Sequence, residues 1–247
     1  MSPQREKIIT FLRKTGLYAP VRFAVKKSVP AFWVPYGALT KRSDRCLMRY
    51  IQANKVHKLH IGCGGNYLDG WFNTDLIPNH RRTQLNATRR FPFPDNTFDY
   101  IFTEHMIEHV PYAKGKIMLS ECFRVLKPGG ILRIVTPDLK FLIGLYQNDN
   151  KINKDYVEWS SDLFLKDLAP HNATSVINNF YRDWGHQYIY DVPVMRDALT
   201  KAGFLEITET EIGNSPHSAL CGLEHAQRMP PGFLALESMI IEAKKSG

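Results

Sequence analysis

Four short apolar runs, each closing on glycine or a titratable group, most constrain how this chain can fold. Residues 55–63 (KVHKLHIGC) enter the turn Gly62-Cys63-Gly64-Gly65-Asn66, and 71–76 (WFNTDL) carry Asp75. Residues 98–103 (FDYIFT) lead to Glu104, His105, Glu108 and His109, and 131–136 (ILRIVT) lead to Asp138. A weaker run lies near 83–87. The stretch 112–126 has a helical stripe at Leu119, Phe123 and Leu126, with Pro111 before it and Lys127-Pro128-Gly129-Gly130 after it. Strands separated by helices pair in parallel, so an α/β sheet is expected. Residues 139–185 read as helices and loops, a helical insert placed as a substrate cap. A helix over 191–202, stopped by Gly203, and strands over 205–212 and 236–243 complete the pattern.

With 247 residues, the chain makes one large domain or a domain with an appendage. Its 44% apolar and 23% charged residues are ordinary for a globular protein. No apolar run reaches membrane-span length, and the start lacks a signal-peptide core. Cys46, Cys63, Cys122 and Cys221 form no CxxC pair, which fits a reducing cytoplasm. The net charge of +8 is uneven: residues 1–58 hold 13 Lys+Arg against 2 Asp+Glu. Residues 1–50 therefore read as a basic appendage to a domain over 51–247. Ile8, Ile9, Phe11 and Leu12 share one helical face there, ringed by basic residues. This segment is read as a lid on the domain or as an anchor on anionic lipid at the inner membrane surface. Nucleic acid is the weaker partner, because the rest of the chain is net acidic.

In open α/β sheets, ligands bind at the carboxyl ends of the strands. A glycine turn lets backbone N–H groups approach a ligand, and an acid ending the second strand accepts ribose hydroxyls. Together they predict an adenosine-type cofactor. The dinucleotide fingerprint wants a small sixth residue and an acid about 20 positions on. Here Tyr67 holds the sixth position and Asp75 lies 13 residues after Gly62, which disfavours NAD or FAD.

The segments 58–76 (KLHIGCGGNYLDGWFNTDL), 91–110 (FPFPDNTFDYIFTEHMIEHV) and 124–138 (RVLKPGGILRIVTPD) resemble class I S-adenosylmethionine-dependent methyltransferases of the small bacterial type. The segments 183–191 (DWGHQYIYD) and 199–204 (LTKAGF) resemble a subgroup that accompanies cell-surface polysaccharide genes. The resemblance implies a Rossmann-like, seven-stranded, mostly parallel sheet with helices on both faces. It implies that Gly62 and Gly64 line the methionine part of S-adenosylmethionine, with Cys63 between them in the cofactor set, that Asp75 binds the ribose, and that Leu76 packs on the adenine. Glu104 joins this cofactor set. Where the family often has an acid near the adenine amino group, this chain has Asn86, whose side-chain oxygen can accept one hydrogen bond.

An oxygen acceptor loses a proton when methylated, so a nearby base is required. His105 is the first candidate by the strand-end rule, with His186 and Asp138 after it. A glycan or another small polar acceptor is the expected substrate. His105-Met106-Ile107-Glu108-His109 also spells HxxEH, but a zinc-protease motif needs a long helix, and Pro111 prevents one. The cluster is similar in spacing to the metal-holding Glu–x–x–Glu–His of small-RNA 2′-O-methyltransferases. No metal is assigned, because Glu108 and His109 also suit a local bracing role. His60 reads as a packed core residue, and Cys63 as a small packed side chain. Of Trp184, His186, Tyr188 and Tyr190, half should be core and the others free to stack on a sugar. The rival classes are a non-catalytic S-adenosylmethionine-binding module, a metal-assisted RNA ribose methyltransferase and an NAD-type oxidoreductase.

Overall fold

The computed structural model describes residues 42–246. The expected amphipathic face at Ile8–Leu12 lies outside the described residues. The first described helix, α1 (Arg42–Ala53), runs through the boundary expected at residue 50. Leu47 is buried in the main core, with Cys46, Tyr50 and Ile51 packed around it. Residues 43–50 are thus part of the domain, because their apolar face has a sheet to cover.

The strands are β1 (Lys58–Ile61), β2 (Phe72–Asp75), β3 (Thr83–Gln84), β4 (Phe98–Glu104), β5 (Leu126–Pro137), β6 (Phe204–Glu209) and β7 (Ser238–Lys245). They form one sheet in the order β3-β2-β1-β4-β5-β7-β6. The first five pair in parallel, while β7 runs antiparallel to both β5 and β6. This is the expected seven-stranded, mostly parallel arrangement. Leu59, His60 and Ile61 are all buried, as a central parallel strand covered on both faces requires.

Helix α2 (Tyr112–Val125) buries Met118, Leu119, Cys122 and Val125 in the main core. Glu121 and Arg124, on the helix's polar side, brace the preceding segment. Arg124 donates to the Phe91 and Phe93 carbonyls and to Asp95, while Glu121 accepts from the Phe91 amide. The insert forms α3 (Leu139–Gln147), α4 (Lys151–Ser160) and α5 (Ala173–Arg182), with its own core around Phe141, Tyr156, Val176 and Phe180. Helix α6 (Val192–Ala202) follows, capped by Asp191, which accepts the Val194 N–H at 2.9 Å, and ended by Gly203 at φ +105°. That φ favours glycine, and the Phe123 ring closes on the space a Cβ would take. A short helix α7 (Phe233–Glu237) leads into β7.

Trp71, Phe102, Val135 and Ile240 form a further cluster with Leu220 and Leu223 from the connection between β6 and α7. Arg133 holds that connection to the sheet. Its fully buried guanidinium reaches Glu224 at 2.7 Å, Glu242 at 2.6 Å, Thr210 at 2.9 Å and the Asn214 carbonyl at 3.0 Å. Among the described residues, no helix is long and apolar enough to cross a membrane.

Candidate functional site

Gly62 and Gly64 take φ values of +70° and +53°, so the backbone reverses immediately after β1. A Cβ on Gly62 would overlap the Met106 side chain, whereas a Cβ on Gly64 or Gly65 would meet nothing within 4 Å. The turn is therefore closed on the Met106 side and open at Gly64 and Gly65. Asp75 stands beside it and accepts the Gly64 N–H at 2.9 Å and the Ile77 N–H at 3.2 Å. Arg82 donates to the Gly64 carbonyl and lies 3.8 Å from the Asp75 carboxylate. An open backbone cradle with a carboxylate alongside fits an adenosine-bearing ligand. Cys63 is buried and burial pushes its thiol up to about 11, which makes it inert packing. Leu76 is half-buried beside Asp75.

Two expected cofactor contacts are given other work. The Asn86 side-chain oxygen accepts both the amide and the hydroxyl of Thr88, at 3.0 and 2.7 Å. Its two lone pairs are spent on that local turn, so it offers an adenine amino group no acceptor. Glu104 is buried at the end of β4 and accepts the His225 N–H at 3.1 Å and an Asn66 amide N–H at 3.5 Å. It ties the β6–α7 connection to the glycine turn.

A cavity of about 270 Å³ lies under the insert, at the carboxyl ends of β4 and β5. His105, Glu108, His109, His186 and Glu237 supply its polar wall, and Trp159, Phe164, Phe180 and Trp184 its aromatic wall. His105 sits at φ +47° and Trp184 at φ +47°, conformations that cost a non-glycine residue strain and cluster at functional sites. Met106, packed on Gly62, directly follows His105, so one residue separates the glycine turn from the cavity wall.

His105 and His186 are brought together as expected; Asp138 is not. Its carboxylate caps α3 by accepting the Lys140 N–H at 2.9 Å, and Pro137 lines the cavity in its place. Two other carboxylates face His105: Glu108 on the Nδ1 side, and Glu237, whose Oε1 lies 3.7 Å from Nε2, a nitrogen that also meets the Ser238 hydroxyl at 3.1 Å. Burial raises the Glu237 pKa, and the Tyr156 hydroxyl donates to its Oε2. The signal for Glu237 was topological. An antiparallel strand starts at the edge where parallel strands end, so the residue before β7 belongs on the strand-end list.

Glu108 is fully buried. Thr136 donates to its Oε2 at 3.1 Å, while its Oε1 has no hydrogen-bond partner. His105 Nδ1 and His109 Nε2 face that oxygen at 3.5 and 3.8 Å, ion-pair distances too long for good hydrogen bonds. Burial works to raise the Glu108 pKa, but the His105 contact and the charges of His105, His109 and His186 outweigh it and hold the group below the usual carboxylate range. Burial lowers His186 to about 4, against the pull of Glu108, so its ring is neutral near pH 7. His186 Nδ1 donates to the Phe180 carbonyl at 2.8 Å, which leaves Nε2 with a lone pair. Tyr188 and Tyr190 stack with Tyr112 away from the cavity, so half of the aromatic run is packing, as expected. His60 is buried and bonded to Asn73 at 3.2 Å, a core residue.

Residues 73–134 match the family model described as the methyltransferase domain, a span from β2 into β5. A sterol 24-C-methyltransferase of Eremothecium gossypii is 30% identical over 112 residues, covering 45% of this chain and 23% of that protein. The chain thus spans under a quarter of this curated relative. A methyltransferase of Archaeoglobus fulgidus, described as dependent on S-adenosylmethionine, is 15% identical, with a TM-score of 0.46 over 87% of this chain and all of that one. A Haemonchus contortus phosphoethanolamine N-methyltransferase in complex with S-adenosylmethionine is 16% identical, with a TM-score of 0.41 over 81% of this chain and 52% of that one.

Proposed function

We propose that the whole chain is an S-adenosylmethionine-dependent methyltransferase that methylates a hydroxyl of a glycan or another small polar acceptor. One observation carries this reading. The cavity sits one residue from the glycine turn and sets imidazoles and carboxylates against aromatic faces. When bound, the cofactor supplies an electrophilic methyl on a sulfonium. The chain supplies position and proton handling. The glycine turn lines the methionine end, Asp75 holds the ribose, and Leu76 packs on the adenine. His105 takes the proton of the acceptor hydroxyl, and Glu108 and Glu237, within 3.5 and 3.7 Å, steady the imidazolium that results. Trp159, Phe164 and Trp184 offer flat faces to the apolar side of a sugar ring. A volume of about 270 Å³ admits one such ring and lies below the usual range for larger ligands, roughly 300–1,000 Å³. The basic residues 1–50 suit an acceptor carried at an anionic lipid surface.

Calorimetric titration with S-adenosylhomocysteine tests the first half. Asp75→Asn removes a charged acceptor worth about 1.5–3 kcal/mol per hydrogen bond, so affinity should fall roughly 10- to 100-fold. Transfer of labelled methyl to a glycan panel tests the second, with His105→Ala abolishing turnover. Binding without transfer to any hydroxyl acceptor would favour the non-catalytic module, and no binding would overturn the cofactor reading.

A further inference from the structure

We infer that the floor of the cavity is a divalent-metal site, with Glu108, His109 and His186 as its protein ligands. One ligand atom from each lies within 4.8 Å of the others. Three ligands about 2.0–2.2 Å from a tetrahedral ion stand about 3.4 Å from one another, so the Glu108–His109 pair, at 3.8 Å, is near that spacing and the widest pair must draw in by up to about 1.4 Å. The case rests on Glu108. A fully buried carboxylate oxygen without a hydrogen-bond donor is costly, and this one faces imidazoles at distances too long to satisfy it. An ion between the rings would satisfy it.

The surroundings are those of a supported ligand set. Thr136 fixes the other Glu108 oxygen, and the Phe180 carbonyl accepts the His186 Nδ1–H, which leaves Nε2 as that ring's ligand atom. The ligands also come from two unlike places. Glu108 and His109 follow β4, while His186 follows the insert, where the Gln187 and Tyr188 amides donate to the Glu108 carbonyl at 2.7 and 3.2 Å. Those bonds hold the two segments in register. Two imidazoles and one carboxylate suit zinc, cobalt, manganese or iron(II), and not calcium or magnesium, which prefer oxygen alone. The remaining coordination positions face the cavity. A bound acceptor hydroxyl there would be oriented and made easier to deprotonate. That use rests on the proposed methyl transfer; the existence of the site does not.

The full chain, treated with chelator and dialysed, should be titrated with Co2+ while the visible absorption is followed, and with Zn2+ in competition. One equivalent of each should bind. His109→Asn and His186→Asn should each weaken binding at least tenfold, and Glu108→Gln at least as much. His109 is about one-third exposed, so its variant is the one best placed to keep the fold, as checked by far-ultraviolet circular dichroism. Absence of a cobalt band, or binding unchanged in both histidine variants, would overturn the inference. S-adenosylhomocysteine affinity measured on the same samples separates the two readings. Cofactor binding without metal binding overturns the metal site alone, and metal binding without cofactor binding overturns the proposed function alone.

Discussion

Replacing Arg133 by Met should cost about 4 kcal/mol of folding stability, near the middle of the 3–5 kcal/mol range for breaking a buried ion pair from one side. The guanidinium is fully buried, and the side chains of Glu224 and Glu242 are 1% and 4% exposed. Methionine fills much of the volume but leaves two carboxylates facing each other without a counter-charge. It also removes donors to Thr210, the Glu211 carbonyl and the Asn214 carbonyl, all in the connection that carries His225 to Glu104. Against a typical total of roughly 5–15 kcal/mol, that is a large fraction. Urea unfolding followed by tryptophan fluorescence reads it. The triple variant Arg133→Met, Glu224→Leu, Glu242→Val should recover most of the loss, because an apolar substitute for a whole buried network is often neutral. A single variant within about 1 kcal/mol of wild type would refute the claim that this network anchors the connection.

Gly62→Ala should cost about 2–4 kcal/mol, from a left-handed backbone plus overlap with Met106. Adding Met106→Ala should return the overlap part and leave the backbone part, a difference that a double-mutant cycle in urea resolves. His60 sets an acid limit. Its folded pKa, lowered to about 4 by burial, lies below the unfolded value near 6.5, so the unfolded state binds the proton first. Stability therefore falls as pH drops from 6.5 to 4, by about 3 kcal/mol in total, and His60→Asn should flatten that slope in urea midpoints taken at pH 4.5 and 7.5. Trp184→Leu should raise KM for the acceptor several-fold while leaving S-adenosylhomocysteine affinity unchanged. A loss of S-adenosylhomocysteine affinity as well would move Trp184 from the acceptor side to the cofactor side.

The sheet was legible because each strand carries its own evidence. KLHI, FNTD and FDYIFTE are apolar runs whose ends are marked by glycine or acid within a few residues, and the cap and stop of α6 are both local. What failed locally failed for a local reason too. The boundary at residue 50 was drawn from charge, yet Leu47 is placed by an apolar stripe running through the same basic stretch. Arg133 could not be read at all. It interrupts ILRIVT as a polar residue should on a half-exposed strand, and the acids that neutralise it lie 91 and 109 residues away.

The site divides along the same line. The half proposed for the cofactor is built from residues close in sequence, so Gly64 and Asp75, eleven apart, announce each other. The strand-end rule then gives positions but not side-chain directions. It selected His105, which faces the cavity, and equally Asp138, which turns back to cap its own helix. The half proposed for the acceptor is assembled across the insert. His186 comes to Glu108 and His109 through backbone bonds spanning 79 and 80 residues, and Glu237 comes to His105 because β7 reverses direction. A base inferred from one strand end is therefore only half defined. The carboxylate that faces it stands just before the one strand whose polarity runs opposite to its neighbours, and that polarity follows from topology, not from any motif in the chain.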